Sequence, residues 1–493
     1  MKYAVFPPIG IARLGNSDGF FVGPEWPGGR GVEIAADGGE TDVASFKDPQ
    51  FRVKRQAARF RLFEFADDAA PGRPAQLPAG ARIKWTVHLA NKKSAIDRPP
   101  RPPDPATITF PLGTAFSDRL LDGGAREISG PSAGPVTFTP QSGPSGPHPD
   151  FLGEMRTDRQ QQLMVLGGRG DSFGEPAQLL DFYTNDTWYD DVSDGPVAAE
   201  IVMADGTTNR DVSPAWVIVA PPDFAPAVPG LVTLYDLLFQ VGLTHFGLKP
   251  PADLSFTRHI YPLVKRASDW QWVHASTVWS RFSTDFAALS ASSCVSPAPA
   301  LRTDTIKLLR KIQNNTTILD RFFLTDFQNG LIQSWEDGKV ACDWQGVPAV
   351  DRTITPDGLT RAALDAGVGA RLHPGIEAGA IMTRQEIYAR PFGFRLSHSV
   401  LDAGDVTALM ALPWQADFYL CRQVWWPSQR PDIVRPSTSP ADQMSWAGGV
   451  PGMIDMVHNV RRLGVLRPKT NVQGEIIGMP EEGRDPSLPR PGH

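Results

Sequence analysis

The spacing of apolar residues changes near residue 230, and this change predicts the fold class. Before that point, short apolar or alternating runs are bounded by glycine and proline, which is typical of strands and turns. These runs are residues 3–6, 81–89, 107–110, 163–166, 198–203 and 215–220. After it, helical spacing predominates, in residues 231–243, 303–323, 359–364 and 405–412. We therefore predict an α+β protein, with a β-rich N-terminal half of sandwich-like sheets packed on a helical, loop-rich C-terminal half.

The length of 493 residues exceeds what one hydrophobic core usually supports, so we expect sub-domains packed as one body. We place the boundary between residues 1–230 and residues 231–493. The 47 prolines and 46 glycines favour short elements joined by ordered loops. Residues 123–150, with repeated Gly-Pro and Ser-Gly pairs, are predicted to be one such loop.

The charge balance and the amino terminus exclude several functional classes. The chain carries 48 Lys and Arg against 54 Asp and Glu, which gives no reason to expect nucleic-acid binding. It has no apolar run near the roughly 20 residues that a membrane span requires. Pro7 and Pro8 end the first apolar stretch, so no signal-peptide core is present. We expect a cytoplasmic protein, and export in an already folded state remains an alternative.

The common metal and nucleotide motifs are absent from the sequence. It has no phosphate-binding loop, CxxC, HExxH or nucleophile elbow. His373 and Glu377 are four residues apart, but Pro374 and Gly375 between them break the helix that would align them, so we expect no metal site. The three cysteines allow at most one disulfide and leave at least one thiol.

An acidic cluster lies at Asp190, Asp191 and Asp194. A calcium site or a general base is conceivable there. Asp and Ser before Gly-Pro more often build turns by bonding their own backbone, and we favour that interpretation.

The most informative segment is residues 413–432, which brings together a carboxylate, a thiol and two indoles. On a helix, Asp417 and Cys421 would lie on one face, with Trp425 one turn further. Pro427 would end such a helix and set the direction of Trp426. Composition alone favours a buried core here, because unpaired cysteine is among the most buried residue types.

Ordered blocks along nearly the whole chain resemble the LodA-like (LodA/GoxA) family of quinoprotein amino-acid oxidases, whose named activities are lysine ε-oxidase and glycine oxidase. The blocks are residues 8–17, 20–25, 54–61, 85–93, 188–197, 215–223, 374–377 and 414–432. So many blocks in order are far more specific than any single motif.

The resemblance implies a cofactor made from the chain's own side chains, cysteine tryptophylquinone. By position, Cys421 matches the cysteine of the thioether, and Asp417 matches the aspartate used in cofactor formation. Trp426 is the preferred indole and Trp425 the second candidate. Family members carry a long insertion between cysteine and tryptophan, whereas only three residues separate Cys421 from Trp425 here. Tyr189 and His373 are the candidates for the substrate pocket.

The resemblance also implies a reaction and its partners. A quinone carbonyl is an electrophile for a primary amine, and Asp417 could remove the proton from the carbon next to nitrogen. With O2 the products are an aldehyde or oxo-acid, NH3 and H2O2, and no metal or dissociable coenzyme is needed. A LodB-like flavoprotein is expected for maturation, and a homo-oligomer is expected. Two alternatives stay open, namely a tailoring enzyme acting on a peptide or biosynthetic intermediate, and a scaffold without the cofactor that has a binding role.

Overall fold

The computed structural model of the protein describes residues 2–67, 71–97, 110–141, 143–183, 185, 187–313, 324–369, 377–379, 381–420, 429–472 and 474–489. The strands are β1 Lys2–Phe6, β2 Ile9–Arg13, β3 Phe20–Val22, β4 Val32–Ile34, β5 Glu40–Asp42, β6 Arg55–Phe65, β7 Arg73–Pro74, β8 Arg82–Asn91, β9 Leu121–Ser129, β10 Val136–Phe138, β11 Gly153–Thr157, β12 Leu163–Gly167, β13 Ser172–Phe173, β14 Tyr189–Asp190, β15 Ser193–Val202, β16 Thr208–Asn209, β17 Val212–Ser213, β18 Ala215–Ala220, β19 Ile433–Val434, β20 Met444–Ser445, β21 Val465–Leu466, β22 Lys469–Thr470, β23 Ile476–Gly478 and β24 Glu481–Glu482. The helices are α1 Leu234–His245, α2 Tyr261–Asp269, α3 Phe286–Ala291, α4 Ala300–Gln313, α5 Asp326–Glu336, α6 Pro356–Asp365, α7 Trp414–Leu420 and α8 Met453–Asn459.

The N-terminal half is organised around one 16-stranded sheet, whose main path runs β10-β11-β12-β6-β2-β18-β15-β8-β9. Its central pair, β2 and β18, is parallel, with Ile11 opposite Ile218. Both strands are buried along their whole length, so their sequences are almost continuously apolar rather than alternating. Ile218 belongs to one hydrophobic core and Val219 to another, so apolar layers cover both faces of this pair.

Two longer strands show the alternation expected of a sheet with one buried face. In β8, Ile83, Trp85 and Val87 are buried, and the residues between them are partly exposed. In β15, Val197, Ala199 and Ile201 are buried in the same way, and Val197 lies opposite Val87. The strands predicted at residues 81–89 and 215–220 are thus confirmed as β8 and β18. Strand β15 pairs with both, and these two pairings fix the position of Asp194 near its start.

The C-terminal half supplies the helices, and local capping explains where they begin. Thr233 and Asp236 form a reciprocal capping box at the start of α1, so the predicted helix at residues 231–243 begins at Leu234. Helix α1 packs on α6 and on the outer face of β2 and β18, through the core that contains Leu237 and Leu364. The α+β fold class is therefore confirmed. The domain boundary at residue 230 stays a prediction.

Two predicted elements are wrong. Residues 123–150, predicted to be a loop, contain most of β9 and all of β10, because β9 pairs along β8 despite its glycines. Residues 405–412, predicted to be helical, form turns instead. Their backbone N–H groups at Val406 and Thr407 donate to the carboxylate of Asp194 in β15, at 3.2 and 2.8 Å, rather than to carbonyls within a helix. Residues 107–109 and 314–323 of two further predicted elements lie outside the described residues.

Both halves contribute to the largest hydrophobic core, in which Val219 of β18 and Trp446 lie together. A disulfide joins Cys294, after α3, to Cys342, after α5, and closes a separation of 48 residues. Within the described ranges, no helix combines the length and apolarity needed to cross a bilayer.

Candidate active site around helix α7

Helix α7 carries the central candidate residue and is buried over most of its length. Trp414 and Phe418 are fully buried, and their rings meet edge to face with centroids 4.9 Å apart. Asp417, between them, is 1% exposed. A carboxylate is rarely buried to this degree unless it has a structural partner or a chemical role. Helix α7 therefore holds the Asp417 side chain inside the protein.

The N-terminus of α7 is held by Asp190, the last residue of β14. One carboxylate oxygen of Asp190 accepts a hydrogen bond from the backbone N–H of Trp414 at 3.0 Å. The same carboxylate forms an ion pair with Lys93 and accepts a hydrogen bond from Nδ2 of Asn91 at 3.0 Å. Asp190 and Lys93 are both fully buried. A charged, fully buried acceptor in β14, which also bonds Asn91 at the end of β8, thus fixes the start of the helix.

Asp191 reaches α7 indirectly, through the loop after β12. It accepts hydrogen bonds from the backbone N–H groups of Gly170 and Asp171, at 2.7 and 3.2 Å. The carbonyl of Gly170 in turn accepts a hydrogen bond from Nε2 of Gln415 at 3.2 Å, while Oε1 of Gln415 accepts one from Ser172 at 2.8 Å. Burial, with the nearby carboxylates of Asp171 and Asp190, raises the pKa of Asp191 to about 8. This side chain is therefore mostly protonated at neutral pH.

Asp194 holds a third part of the C-terminal half. Its carboxylate accepts hydrogen bonds from Nε1 of Trp216 at 2.9 Å and from the hydroxyl of Thr407 at 2.6 Å. Burial raises the pKa of Asp194 to about 6, although these hydrogen bonds favour the ionised form.

The turn interpretation of this acidic cluster is wrong. Asp190 and Asp194 bind donors more than 200 positions away, in the segments around Trp414 and Thr407, and Asp191 binds donors 20 and 21 positions away. A turn would pair each side chain with its own neighbours.

In the described part of the chain, no group of three or more His, Cys, Asp or Glu side chains is arranged to hold a metal ion.

The far end of α7 is held by Arg430. Its Nε donates to the carbonyl of Phe418, and its Nη1 donates to Asp432 at 3.0 Å. Asp432 also accepts a hydrogen bond from the backbone N–H of Ala275 at 3.1 Å and lies 3.4 Å from Nδ1 of His274. Burial lowers the pKa of His274 despite this carboxylate. Buried ionic contacts therefore anchor the described residues on both sides of positions 421–428.

Tyr189, a candidate for the substrate pocket, lines an open cleft of about 720 Å³ together with Trp188 and Ser172. Burial raises the pKa of the Tyr189 phenol. The hydroxyl of Ser172 contacts Gln415 of α7, so this cleft borders the helix that carries Asp417. The structure thus brings Tyr189 near α7 through its neighbour Asp190.

Four other candidates, Cys421, Trp425, Trp426 and His373, lie outside the described residues. The disulfide nevertheless bears on one of them. It uses two of the three cysteines of the sequence, Cys294 and Cys342, so Cys421 is the one left for other chemistry.

Sequence reasoning did not single out Lys93, Gln415 or Arg430. Lys93 lies in a family-like block, but nothing local to it predicts a partner 97 positions away.

Two family models match this chain. The model described as L-lysine epsilon oxidase N-terminal matches residues 6–219, and the L-lysine epsilon oxidase C-terminal domain matches residues 309–446. The chain belongs to the LodA-like family. The matched ranges include β14, β15 and α7, so the elements that build the candidate site lie within the family's own domains.

One relative of this LodA-like protein comes from Marinomonas mediterranea. The L-lysine 6-oxidase of that organism is 28% identical over 552 aligned positions, which cover 90% of this chain and 73% of the relative. Because 552 positions exceed the 493 residues of this chain, the relative contains segments without a counterpart here.

Solved structures agree on the fold. The structure of the ε-lysine oxidase from M. mediterranea matches with a TM-score of 0.79 and 23% identity, over 99% of this chain and 95% of that chain. A structure of the Schiff base intermediate of that enzyme with L-Lys matches with a TM-score of 0.78 and 23% identity, over 98% and 95% of the two chains. Nearly the whole described chain therefore has the fold of these oxidases.

Proposed function

We propose that this LodA-like protein is an amino-acid or primary-amine oxidase with a cysteine tryptophylquinone built from Cys421 and Trp426, Trp425 being the second candidate. One observation carries the proposal. Asp417 lies buried on α7, four residues before the cysteine that the disulfide leaves over. Family membership and the homologous L-lysine 6-oxidase support the same reaction class.

The residues present fit this cofactor. Its formation requires a thiol, an indole and a base that can accept protons away from water. Cys421 supplies the thiol, because Cys294 and Cys342 are joined to each other. The buried carboxylate of Asp417 supplies the base. The bound quinone would contribute an electrophilic carbonyl, a function that none of the ordinary side chains provides.

The chain's own residues would then position the base and exclude water. Asp190 at the start of α7 and Arg430 at its end hold the backbone of the helix that carries Asp417. Asp417 would accept a proton during assembly and, in turnover, the proton from the substrate carbon next to nitrogen. The overall reaction consumes an amine, O2 and water, and yields an aldehyde or oxo-acid, NH3 and H2O2.

Intact mass of the full chain, produced together with a LodB-like flavoprotein, tests the proposal. The mature crosslinked form gains two oxygens and loses four hydrogens relative to the sequence with its disulfide, and it absorbs visible light. A mass equal to that of the unmodified chain, with no colour, would reject the oxidase and leave a scaffold with a binding role. Size-exclusion chromatography of the same sample tests the expected homo-oligomer.

A peroxide assay separates the oxidase from the tailoring alternative. Free amino acids and the same residues within short blocked peptides are compared as substrates. We expect H2O2 and NH3 in equal amounts from a free amino acid. Turnover confined to peptides would instead support a tailoring enzyme.

The disulfide also bears on location. Disulfides form and persist mainly in oxidising compartments. The bond between Cys294 and Cys342 therefore favours export of an already folded chain over the cytoplasmic location. Fractionation of the native host, with immunodetection of this chain, distinguishes the two.

A further inference from the structure

A second cavity, of about 300 Å³, lies apart from the Tyr189 cleft. Its wall is built from the end of β2, the loop after β3, the loop after β18, and helices α2 and α6. The volume lies at the lower end of the range of pockets that bind small molecules, roughly 300–1,000 Å³. Gln429, just after positions 421–428, also belongs to the wall.

Most of the charges on this wall are already paired. Four cationic wall residues, Arg13, Lys265, Arg266 and Arg361, each form an ion pair with a carboxylate. The carboxylates of Asp269 and Asp365, also on the wall, are among these partners. Such pairs have little charge to offer a ligand, since each side chain is already compensated.

Two wall residues of opposite charge remain. In the described part of the chain, neither Asp223 nor Arg30 forms a salt bridge within 4.0 Å. All other charged residues of the wall are members of the ion pairs named above. Asp223 is half-buried, and its Oδ1 accepts a hydrogen bond from the backbone N–H of Ala225 at 2.9 Å. Arg30 is exposed at the glycine-rich turn after β3. The cavity wall therefore contains one carboxylate and one guanidinium that have no salt-bridge partner among the described residues.

The electrostatics of Asp223 suit a cationic ligand group. Burial raises the pKa of Asp223 to about 7, even though Arg13 lies near enough to lower it. An ammonium bound there would favour the ionised carboxylate, because opposite charges at close range stabilise each other. An anion alone would leave this carboxylate uncompensated, and a cation alone would leave Arg30 unused.

We propose that this cavity is a binding site for a small zwitterion of the amino-carboxylate class, whose ammonium contacts Asp223 and whose carboxylate contacts Arg30. The site goes beyond the proposed oxidation, because it contains none of the residues assigned to the quinone. Its occupant carries both charges at once, which an amine, a simple carboxylic acid or an internal peptide residue does not.

Calorimetric titration of the full chain carrying Cys421→Ser tests the site without turnover. L-alanine and L-lysine serve as zwitterionic probes, and n-propylamine and propionate as probes with a single charge. We expect each amino acid to bind at least about tenfold more tightly than either single-charge probe, since each such probe lacks one of the two hydrogen bonds to a charged group. Absence of saturable binding by both amino acids would overturn the proposal.

Substitutions locate the binding. In the same background, Asp223→Asn and Arg30→Gln should each weaken amino-acid binding about tenfold or more. The matched controls Asp211→Asn and Arg281→Gln alter exposed residues outside the wall and should leave affinity unchanged. Unchanged affinity in Arg30→Gln, an exposed position where folding is not at risk, would refute the assignment even if Asp223→Asn fails to fold. An unmodified mass of the wild-type chain would reject the quinone without affecting this result.

Discussion

The carboxylate of Asp190 accepts a hydrogen bond from the backbone N–H of Trp414 at 3.0 Å, across 224 positions of sequence. The acceptor ends a short strand of the N-terminal half, and the donor begins the helix that carries Asp417. The base of the proposed site is thus positioned by a residue that belongs to the other half of the protein. The family-like block around Asp190 and the block around Asp417 form one structural unit.

Asp190→Ala should lower the free energy of unfolding by about 3–5 kcal/mol, because it leaves the buried Lys93 ammonium without this carboxylate. Asp190→Asn should cost less, since its amide oxygen can still accept from Trp414. The double variant Lys93→Met/Asp190→Leu removes both charges and should recover much of the loss. Urea denaturation measures all three. Equal stability of Asp190→Ala and the wild type would show that the pair does not hold the helix.

Cys421→Ser should abolish the visible absorption, the mass change and H2O2 production, while the unfolding midpoint stays close to that of the wild type before maturation. The matched control is the double variant Cys294→Ser/Cys342→Ser, which removes the two disulfide-bonded cysteines and should still show the mass change of the crosslink. Colour in Cys421→Ser, or its loss in the control alone, would contradict the assignment of Cys421.

Asp417→Ala should leave the crosslink incomplete, because the buried proton acceptor on α7 is missing. Asp417→Asn distinguishes chemistry from packing. The amide retains the size of the side chain and cannot take up the proton, so it should also fail to mature. A normal mature mass in both variants would reject the role of Asp417, and rescue by Asn alone would indicate packing.

Reduction of the Cys294–Cys342 disulfide should destabilise the protein by about 2–4 kcal/mol, because the bond restricts a loop of 48 residues in the unfolded chain. Thermal unfolding with and without a thiol reductant measures the effect. The serine double variant serves as the control and should not respond to reductant. The crosslink of matured protein should persist in the intact mass, since a thioether is not cleaved by thiols.

Asp191 should make stability fall as pH rises. Its pKa of about 8 in the folded protein exceeds the ordinary value of 3.8, so between these values the folded state keeps a proton that the unfolded state has lost. The stabilising contribution is complete below about pH 4 and is lost as pH rises through about 8. Asp191→Asn should remove a slope of up to about 1.4 kcal/mol per pH unit. Urea denaturation across this range, in wild type and variant, gives the difference. Parallel pH profiles would show that Asp191 is ionised in the folded state.

Local patterns predicted the elements whose burial is periodic. The alternation at residues 81–89 and the continuous apolar run at 215–220 correspond to β8 and β18, and the helical spacing at 231–243 corresponds to α1. In each case the information lies within a few neighbouring residues, which is the range over which strand and helix periods are read.

Predictions failed where a distant partner decides the local structure. Residues 405–412 have helical spacing, yet Asp194 accepts their N–H groups and keeps them in turns. The glycines at 123 and 124 look like a loop, yet they lie within β9, where its register with β8 shifts between His88 and Ala90. The aspartates of the acidic cluster resemble turn residues in their local sequence, yet distant backbone N–H groups bind to them.

The order of apolar residues and the blocks that resemble the family determined fold class and family from the sequence alone, and the three cysteines limited the chain to one disulfide. Only the folded chain decided which cysteines pair and which donors bind the buried aspartates. It also decided which two charges on the cavity wall have no ion-pair partner among the described residues. Hydrogen bonds and ion pairs act over about 3 Å in space. In this protein they join residues up to several hundred positions apart, a distance over which sequence patterns carry no information about contact.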